Sequence, residues 1–522
     1  MLRNRLYADP ADRFLHDLIF DSCRRHPCKT AIVDPSANRR ITYADYGELV
    51  SSAARGLISS GLKPGEVVAI HSFNSWEFCV AYHAATLAGV VPTLLNPMYR
   101  EREIRYQLEN SSASILISDA PLLADVNLAG LPSLRHVYTT RSAKAGARPF
   151  SDLLQLAAAA LPVPDKPSAE TLAALPYSSG TTGLPKGVML SHFNLVANIF
   201  QLLAPHTADL KTDDVMLCFL PLYHIYGLNV ALNPVLTLGA TLVLMPRFNV
   251  EHLADLIVSE SITMMPVVPP AMNAINQAAE AGNFPKSHTL RWVKSGAAPL
   301  APELARRFTE LTGALVCQGY GMTEASPVTH LGNLDPALYR PESIGQPLAE
   351  TDCRVLDESG NEVAYGKAGE LVMRGPQFML GYWKEPQATA AVLRDGWYWS
   401  GDIVSRDQQD FFYVLDRRKE MIKYKGFRVA PAEVEALLLE HPAVRDCGVI
   451  ARPDPSAGEI PAAFIVLREG QAECDKLKQD LCTFVADRLT HYKQPREIHF
   501  VNSVPRTASG KILRRELRKQ FP

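Results

Sequence analysis

Residues 177–188 (YSSGTTGLPKGV) carry the strongest chemical signal in the chain. Gly180, Gly183 and Gly187 let backbone N–H groups approach an anion with no Cβ in the way. Ser178, Ser179, Thr181 and Thr182 add hydroxyl donors, and Lys186 adds a point charge of the kind that sits beside phosphate. The pattern is not the P-loop, because no Lys-Ser/Thr pair follows a G-x-x-x-x-G. Its continuation, 188–190, reads as a strand, whereas a P-loop leads into a helix. Gly, Ser and Thr alone would also suit a flexible polar turn. Pro185-Lys186-Gly187 at fixed spacing argues against that.

Six further segments carry side chains with chemical use. Residues 221–229 (PLYHIYGLN) set His224 near two tyrosines, which by itself suits a packed histidine at least as well as a catalyst. Residues 294–300 (KSGAAPL) are small enough for backbone to meet a flat ligand, or form a plain turn before a helix near Pro302. Residues 318–324 (QGYGMTE) place an open-faced ring between glycines, then a hydroxyl, then the hard carboxylate oxygen that Mg²⁺ prefers, directly or through water. Residues 397–402 (WYWSGD) end on a lone carboxylate. Residues 416–428 (DRRKEMIKYKGFR) are rich in cations and could be a solvated basic loop. Residues 505–511 (PRTASGK) end on a lysine at the start of a basic C-terminal helix, usually a surface position.

In this order the segments resemble the adenylate-forming superfamily: acyl- and aryl-CoA ligases, adenylation domains of peptide synthetases, and beetle luciferases. The resemblance spans nearly the whole chain and is closest to acyl/aryl-CoA synthetases of the 4-coumarate–CoA ligase type. It implies that Ser178, Ser179, Gly180, Thr181, Thr182 and Lys186 grip the β- and γ-phosphates of ATP. Gln318, Gly319, Tyr320, Thr323, Asp402, Arg417 and Lys511 complete the nucleotide site. There Tyr320 is suited to stack on adenine, Thr323 to donate to the α-phosphate, and Asp402 and Arg417 to hold the ribose. Glu324 becomes the Mg²⁺ carboxylate. His224, Tyr226, Ala297, Gly319 and Lys423 form the acyl-substrate set. Arg247, Lys425 and Gly426 form the CoA set, and Asp416 is the hinge. The catalytic set is Lys511, Thr323, Glu324 and His224, with His224 a contacting group and not an acid or base. Lys294 faces solvent or shapes the acyl pocket. The chain departs from the plant enzymes at Arg428, where a Gln commonly stands, so no nucleotide contact is transferred there.

The implied reaction has two halves. A carboxylate is a poor acyl donor, because its leaving group would be oxide. Attack on the α-phosphorus of ATP gives a mixed anhydride and releases pyrophosphate. Both reactants are anions, so Lys511, Mg²⁺ near Glu324 and the 178–186 loop offset the charge gathering at phosphorus. The second half needs a thiol where Lys511 stood. The family solves this by rotating the C-terminal domain about its hinge, exchanging Lys511 for the 425–426 loop. ATP, Mg²⁺ and CoA are thus the expected cofactors and cosubstrates. The acid is read as aromatic or arylpropenoic. Alternatives are a medium- or long-chain fatty acyl ligase, an enzyme loading a carrier protein, a luciferase-type oxygenase, and an inactive AMP-binding relative. No carrier-like Asp-Ser-Leu follows residue 511, and Arg247 aligns with a CoA-contacting residue, which favours CoA.

Periodicity indicates what must position these segments. Residues 42–62 read as a helix capped by Thr42, with Tyr46, Leu49, Val50, Ala53, Ala54 and Leu57 at helical spacing. Strands at 67–71, 90–94 and 114–118 alternate with helices at 75–88 and 101–108, the rhythm of parallel sheets. Residues 157–170 (AAAALPVPDKPSAE) read as a surface connection. A strand at 172–177 leads into the glycine-rich loop. Strands at 215–219, 241–245 and 262–267 build a second α/β unit, and 340–415 shift to short strands and turns. Past 416, helices at 432–440, 475–490 and 511–519 mix with strands at 447–451, 462–467 and 497–501. The expected fold is therefore α/β: a large N-terminal domain (1–415) of two α/β subdomains plus a small β-rich one, and a small mobile α+β C-terminal domain (416–522).

Composition sets outer limits. Of 522 residues 47% are apolar and 21% charged, ordinary for a protein with a large core, and the net charge of −2 gives nucleic acid no basic surface. Nine scattered cysteines without a C-x-x-C point to a reducing compartment. No secretory h-region and no uninterrupted apolar run of about 18–20 residues is present, so the expected setting is cytoplasmic with no membrane span. The sequence permits a homodimer without specifying one.

Overall fold

Thr42 accepts a hydrogen bond from the Asp45 amide and starts the helix Tyr43–Ser59, whose Tyr46, Val50, Ala53, Ala54 and Leu57 are buried, as the spacing predicts. Ser75 caps Trp76–Leu87 in the same way. Val67–His71 is buried at every position, the signature of a strand covered on both faces. The computed structural model describes residues 6–142, 144–155, 167–178, 184–204, 207, 209–335, 337–417, 420–425, 427–454, 457–507 and 510–521. Expectations for the 157–166 connection, for Ser179, Gly180, Thr181, Thr182 and Gly426, and for the Asp416 and Arg417 side chains fall outside what is described.

Two mostly parallel sheets form the body. One is all parallel and runs Val91–Leu94, Val67–His71, Ile115–Asp119, His136–Thr140 and Arg148–Pro149. The other has nine strands. Its centre is the parallel set Leu315–Gly321, Trp292–Ser295, Met264–Val267, Val215–Cys218 and Thr241–Leu244, with antiparallel strands at both edges. Asp352–Leu356, Gly369–Arg374, Trp397–Arg406 and Phe412–Arg417 pair antiparallel, which is the expected β-rich unit.

From Ile422 onward the chain builds another sheet, in the order Phe427–Val429, Ile422–Tyr424, Gly458–Leu467, Val444–Asp454, with Glu497–Phe500 added parallel to Gly458–Leu467. Two apolar clusters, one around Val434, Val449 and Leu481 and one around Phe464 and Leu517, hold this unit, and neither shares a member with the cores of preceding residues. The last strand paired to the larger body ends at Arg417 and the first of the smaller sheet begins at Ile422.

Several elements differ from the periodicity reading. The strand expected at 172–177 splits into Leu172–Ala174 and Tyr177–Ser178, with Pro176, which has no N–H to give, between them. The helix expected to 490 ends at Ala486. The final helix spans Arg514–Gln520, so Lys511 precedes it. There the chain closes a turn: Leu513 donates to the Pro505 carbonyl, Arg506 bridges Ile512, and Gly510 takes φ +82°.

Inside the smaller unit, Arg514 donates to both carboxylate oxygens of Glu435 at 2.8 Å, and Glu435 Oε1 also accepts from the Val449 amide at 2.7 Å. Both side chains are nearly buried, at 12% and 9% exposure. Removing one partner of a buried pair costs about 3–5 kcal/mol, because the other charge is stranded. Arg514→Ala should therefore speed amide exchange in Val444–Asp454 by about a hundredfold or more, with Val67–His71 unchanged. Unchanged exchange at Val449 would refute the assignment.

Candidate functional site

The two strands that flank the glycine-rich segment pair with each other. Tyr177–Ser178 pairs antiparallel with Lys186–Ser191, placing Lys186 opposite Ser178. A strand follows the loop, as expected. Its flanks are tied down on several sides. Tyr106 donates to the Pro185 carbonyl at 3.0 Å, Tyr177 to Asn110 Oδ1 at 2.6 Å, and the Trp383 amide to the Gly187 carbonyl at 2.8 Å. A Cβ on Gly187 would lie 3.1 Å from both Leu175 and Trp383, so a side chain here would force its neighbours to give way by a few tenths of an ångström.

Beyond Lys186 lies the second anion-handling group. Glu324, in the single turn Thr323–Ala325, is 8% exposed. Its Oε1 accepts from the Tyr382 hydroxyl at 2.8 Å, and among the described residues no Lys or Arg pairs with it. Lys186 Nζ stands 5.2 Å from the centre of the same Tyr382 ring. Burial first, and then the Glu324 charge, push the Tyr382 phenol well above its usual range, so it remains a donor. No group of three or more His, Cys, Asp or Glu able to hold a metal occurs among the described residues. A buried carboxylate with no cationic partner suits Mg²⁺, which commonly takes one or two protein carboxylates and completes its shell with water and phosphate. The Thr323 hydroxyl makes no hydrogen bond to protein among the described residues and is available to a ligand.

Tyr320 donates to Asp402 Oδ2 at 2.5 Å, tying the predicted base-stacking ring to the predicted ribose acceptor. Asp402 is 5% exposed, and the strand register sets its backbone opposite that of Arg417. Gln318, Gly319 and Tyr320 are half-buried at the end of Leu315–Gly321. A side chain at Gly321 would meet the Pro327 carbonyl at 2.0 Å.

Of the predicted acyl wall, His224 and Tyr226 line a shallow recess together with Leu220, Pro221, Tyr223, Gly227 and Val268, and Ala297 and Gly319 are not part of its lining. The Tyr226 hydroxyl donates to the Lys294 carbonyl at 2.7 Å, and its ring lies 3.1 Å from where a Cβ on Gly296 would be. Ala297 is exposed and takes φ +68°, a strained value for a residue with a Cβ. His224 Nδ1 accepts from the Tyr226 amide at 3.2 Å, so the ring proton sits on Nε2. Desolvation, and then the charge of Lys511, lower the His224 pKa from 6.5 to about 4. Lys294 does not face solvent. It is 5% exposed, and burial lowers its pKa from 10.5 to about 8.

The turn that carries Lys511 comes against the recess: a Cβ on its neighbour Gly510 would lie 3.9 Å from Val268, which lines it, and the Lys511 charge is felt at His224. The docking is tight: a Cβ on Gly510 would lie 3.0 Å from Pro270. Arg506 braces the turn, donating to the Gly510 carbonyl at 2.7 Å and pairing with Asp446 at 2.6 Å. The other predicted residues of that unit are elsewhere. Lys423 and Lys425 are exposed, and no hydrogen bond or ion pair joins them to His224 or Tyr226. Lys423 is not among the residues that line the recess. Lys425 takes φ +47° and its amide donates to the Ala457 carbonyl. Arg247 is exposed, with its guanidinium 4.2 Å from the centre of the Phe73 ring. Sequence reasoning missed Tyr382. The only signal was an aromatic pair after Gly381, and its partner Glu324 lies 58 residues away.

Residues 19–383 match the family described as AMP-binding enzyme, and residues 433–511 match the AMP-binding enzyme C-terminal domain. The chain is 37% identical to 4-coumarate–CoA ligase 5 of Oryza sativa subsp. japonica, over 100% of this chain and 97% of the relative. Two solved structures superpose nearly end to end. The anthranilate CoA ligase AuaEII in complex with anthranoyl-AMP gives a TM-score of 0.88 at 26% identity, covering 97% of each chain. ATP-bound MatB from Rhodopseudomonas palustris gives 0.87 at 29%, covering 98% and 99%.

The His224 environment has a direct readout. A pKa near 4 keeps the ring neutral, with its proton on Nε2, throughout neutral pH. In an NMR titration its signals should stay flat from pH 8 to 5. Lys511→Ala removes a cation that disfavours the imidazolium, so it should move the titration upward toward 6.5. Titration near 6.5 in the unmodified protein would contradict the buried placement.

Proposed function

The chain belongs to the AMP-binding enzyme family, and from that premise we propose how its own residues divide the reaction. It is an ATP-dependent, AMP-forming acid–CoA ligase. An oxygen of the substrate carboxylate attacks the α-phosphorus of ATP. The bond to the β-phosphate oxygen breaks, and pyrophosphate leaves with that electron pair. The CoA thiol, as thiolate, then attacks the acyl carbon and expels AMP.

In the first half, Lys186 and the loop around it hold the departing phosphates. Thr323 donates to the α-phosphate, and Asp402 with Arg417 takes the ribose. Glu324 holds Mg²⁺, which supplies charge neutralisation at the triphosphate when bound. Lys511 bridges the carboxylate and the α-phosphate. His224, neutral with Nε2–H available, contacts the acid and moves no proton. The observation that carries this reading is the packing of Gly510, next to Lys511, near Val268 at the recess that His224 lines, while Lys423 and Lys425 are exposed. In the second half, residues 416–522 turn as a body about Asp416 and the few residues after it. That motion brings Lys425 and Gly426 to the tunnel for pantetheine, and Arg247 meets the CoA nucleotide. Nine cysteines without a disulfide support a reducing, cytoplasmic setting.

The division is tested by separating the halves. Lys511→Ala should lower acyl-AMP formation by about 10²–10³-fold, measured as pyrophosphate release, and leave thioester formation from supplied acyl-AMP close to wild type. Equal loss of both halves would refute the role of Lys511.

We further propose an aromatic or arylpropenoic acid as substrate, supported by the 4-coumarate–CoA ligases at 36–37% identity and by the anthranilate ligase fold match. With ATP and CoA, 4-coumarate or benzoate should outperform hexanoate and laurate in kcat/KM. A clear preference for laurate would overturn the aryl reading.

A further inference from the structure

Tyr382 touches two groups whose positions the reaction depends on, and it does so with two different parts of its side chain. Its hydroxyl donates to Glu324 Oε1 at 2.8 Å, and its ring centre lies 5.2 Å from Lys186 Nζ. That distance is within the range of a cation over an aromatic face. The residue itself is held firmly. Tyr382 pairs with Val188 in the antiparallel register that also sets Gly381 against Met189. The Leu380 amide donates to the Met189 carbonyl and the Trp383 amide to the Gly187 carbonyl. The Tyr382 amide donates to Thr389 Oγ1 at 2.8 Å. From the opposite side, the Met379 amide donates to the Glu324 carbonyl at 2.9 Å. Hairpin, tyrosine and carboxylate therefore form one hydrogen-bonded frame.

We propose that Tyr382 is a positioning residue that aligns the metal-binding carboxylate with the phosphate-binding lysine. Its hydroxyl occupies one oxygen of Glu324 and turns the other toward the cation of Mg–ATP. Its ring keeps the Lys186 ammonium from folding back toward Glu324, where lysine and carboxylate would neutralise each other and neither would serve ATP. The frame sets the spacing between the two charges before ATP arrives, so little reorganisation is needed when it binds. This rests on the reading of Glu324 as the Mg²⁺ carboxylate.

The test is ATP binding to the full-length protein by equilibrium dialysis, without acid or CoA, once with EDTA and once with saturating Mg²⁺. In Tyr382→Phe the ring remains and only the donor is lost. ATP affinity in EDTA should stay within about twofold of wild type, while the gain on adding Mg²⁺ should shrink about tenfold, the scale of one hydrogen bond to a charged group. Tyr382→Leu should also weaken binding in EDTA, by about fivefold, because the face under Lys186 is gone. Glu324→Gln separates the two claims. If it keeps the full Mg²⁺ gain, the metal reading falls and this proposal with it. If it loses the gain and Tyr382→Phe keeps it, the proposal alone falls. Equal weakening by Tyr382→Phe with and without Mg²⁺ would mark a merely structural role and would also overturn it.

Discussion

Two anions, a carboxylate and a triphosphate, must come within bonding distance, and the rest of the structure answers that constraint. At 4 Å two like charges repel by about 1 kcal/mol in water and about 4 kcal/mol at the effective dielectric of a protein surface. The site meets this with cations of different origin. Lys186 comes from a hairpin of the larger body and Lys511 from a turn of the smaller unit. Glu324 is buried against the Tyr382 hydroxyl without a basic partner among the described residues, which keeps it available for a metal ion. His224 fits the same electrostatic scheme. A charged imidazole beside Lys511 would disturb that lysine, and burial keeps the ring neutral.

Parallel strands explain why the segments converge. Val215–Cys218, Met264–Val267, Trp292–Ser295 and Leu315–Gly321 run in one direction in one sheet, so all their C-terminal ends lie along one edge. His224 and Tyr226 follow the first, Gly296 and Ala297 the third, and Thr323 and Glu324 the fourth. The edge of an open α/β sheet at the carboxyl ends of its strands is where ligands bind. The close approaches seen there need small residues. Gly296 sits against the Tyr226 ring and Gly321 against the Pro327 carbonyl, and a Cβ at Gly321 would collide.

Much of this was legible in the sequence, because local chemistry and strand periodicity are properties of short stretches. The strand after the glycine-rich loop, the helix capped by Thr42 and the change to short strands and turns past 340 all follow from such stretches. What escaped depends on contacts between distant residues. Nothing near Gly381 announces that Tyr382 will reach Glu324. Lys294 could be read as solvent-facing or buried, because its charge argues for the surface while its strand lies in the middle of the nine-stranded sheet; the strand prevails. The run 511–519 looks helical throughout. Its first residues nevertheless form a turn, because Leu513 donates to the Pro505 carbonyl instead of continuing a helix.

That turn bears on how, under the proposed division of the reaction, Lys511 would serve one half and then withdraw. Lys511 is not on a floppy tail. Arg506 holds the Gly510 carbonyl and Asp446, Arg514 holds Glu435, and Arg518 holds Glu420, all within residues 420–521. The unit also has apolar cores of its own. Its internal bonds survive any rigid rotation, so removing the lysine breaks few contacts beyond those of the docked surface, such as Gly510 on Pro270. Refolding a loop to the same end would cost backbone entropy of about 1–2 kcal/mol for each residue ordered. Moving a braced body costs only the difference between two docked surfaces, which is why a separate domain is the economical way to present a cation and then take it away.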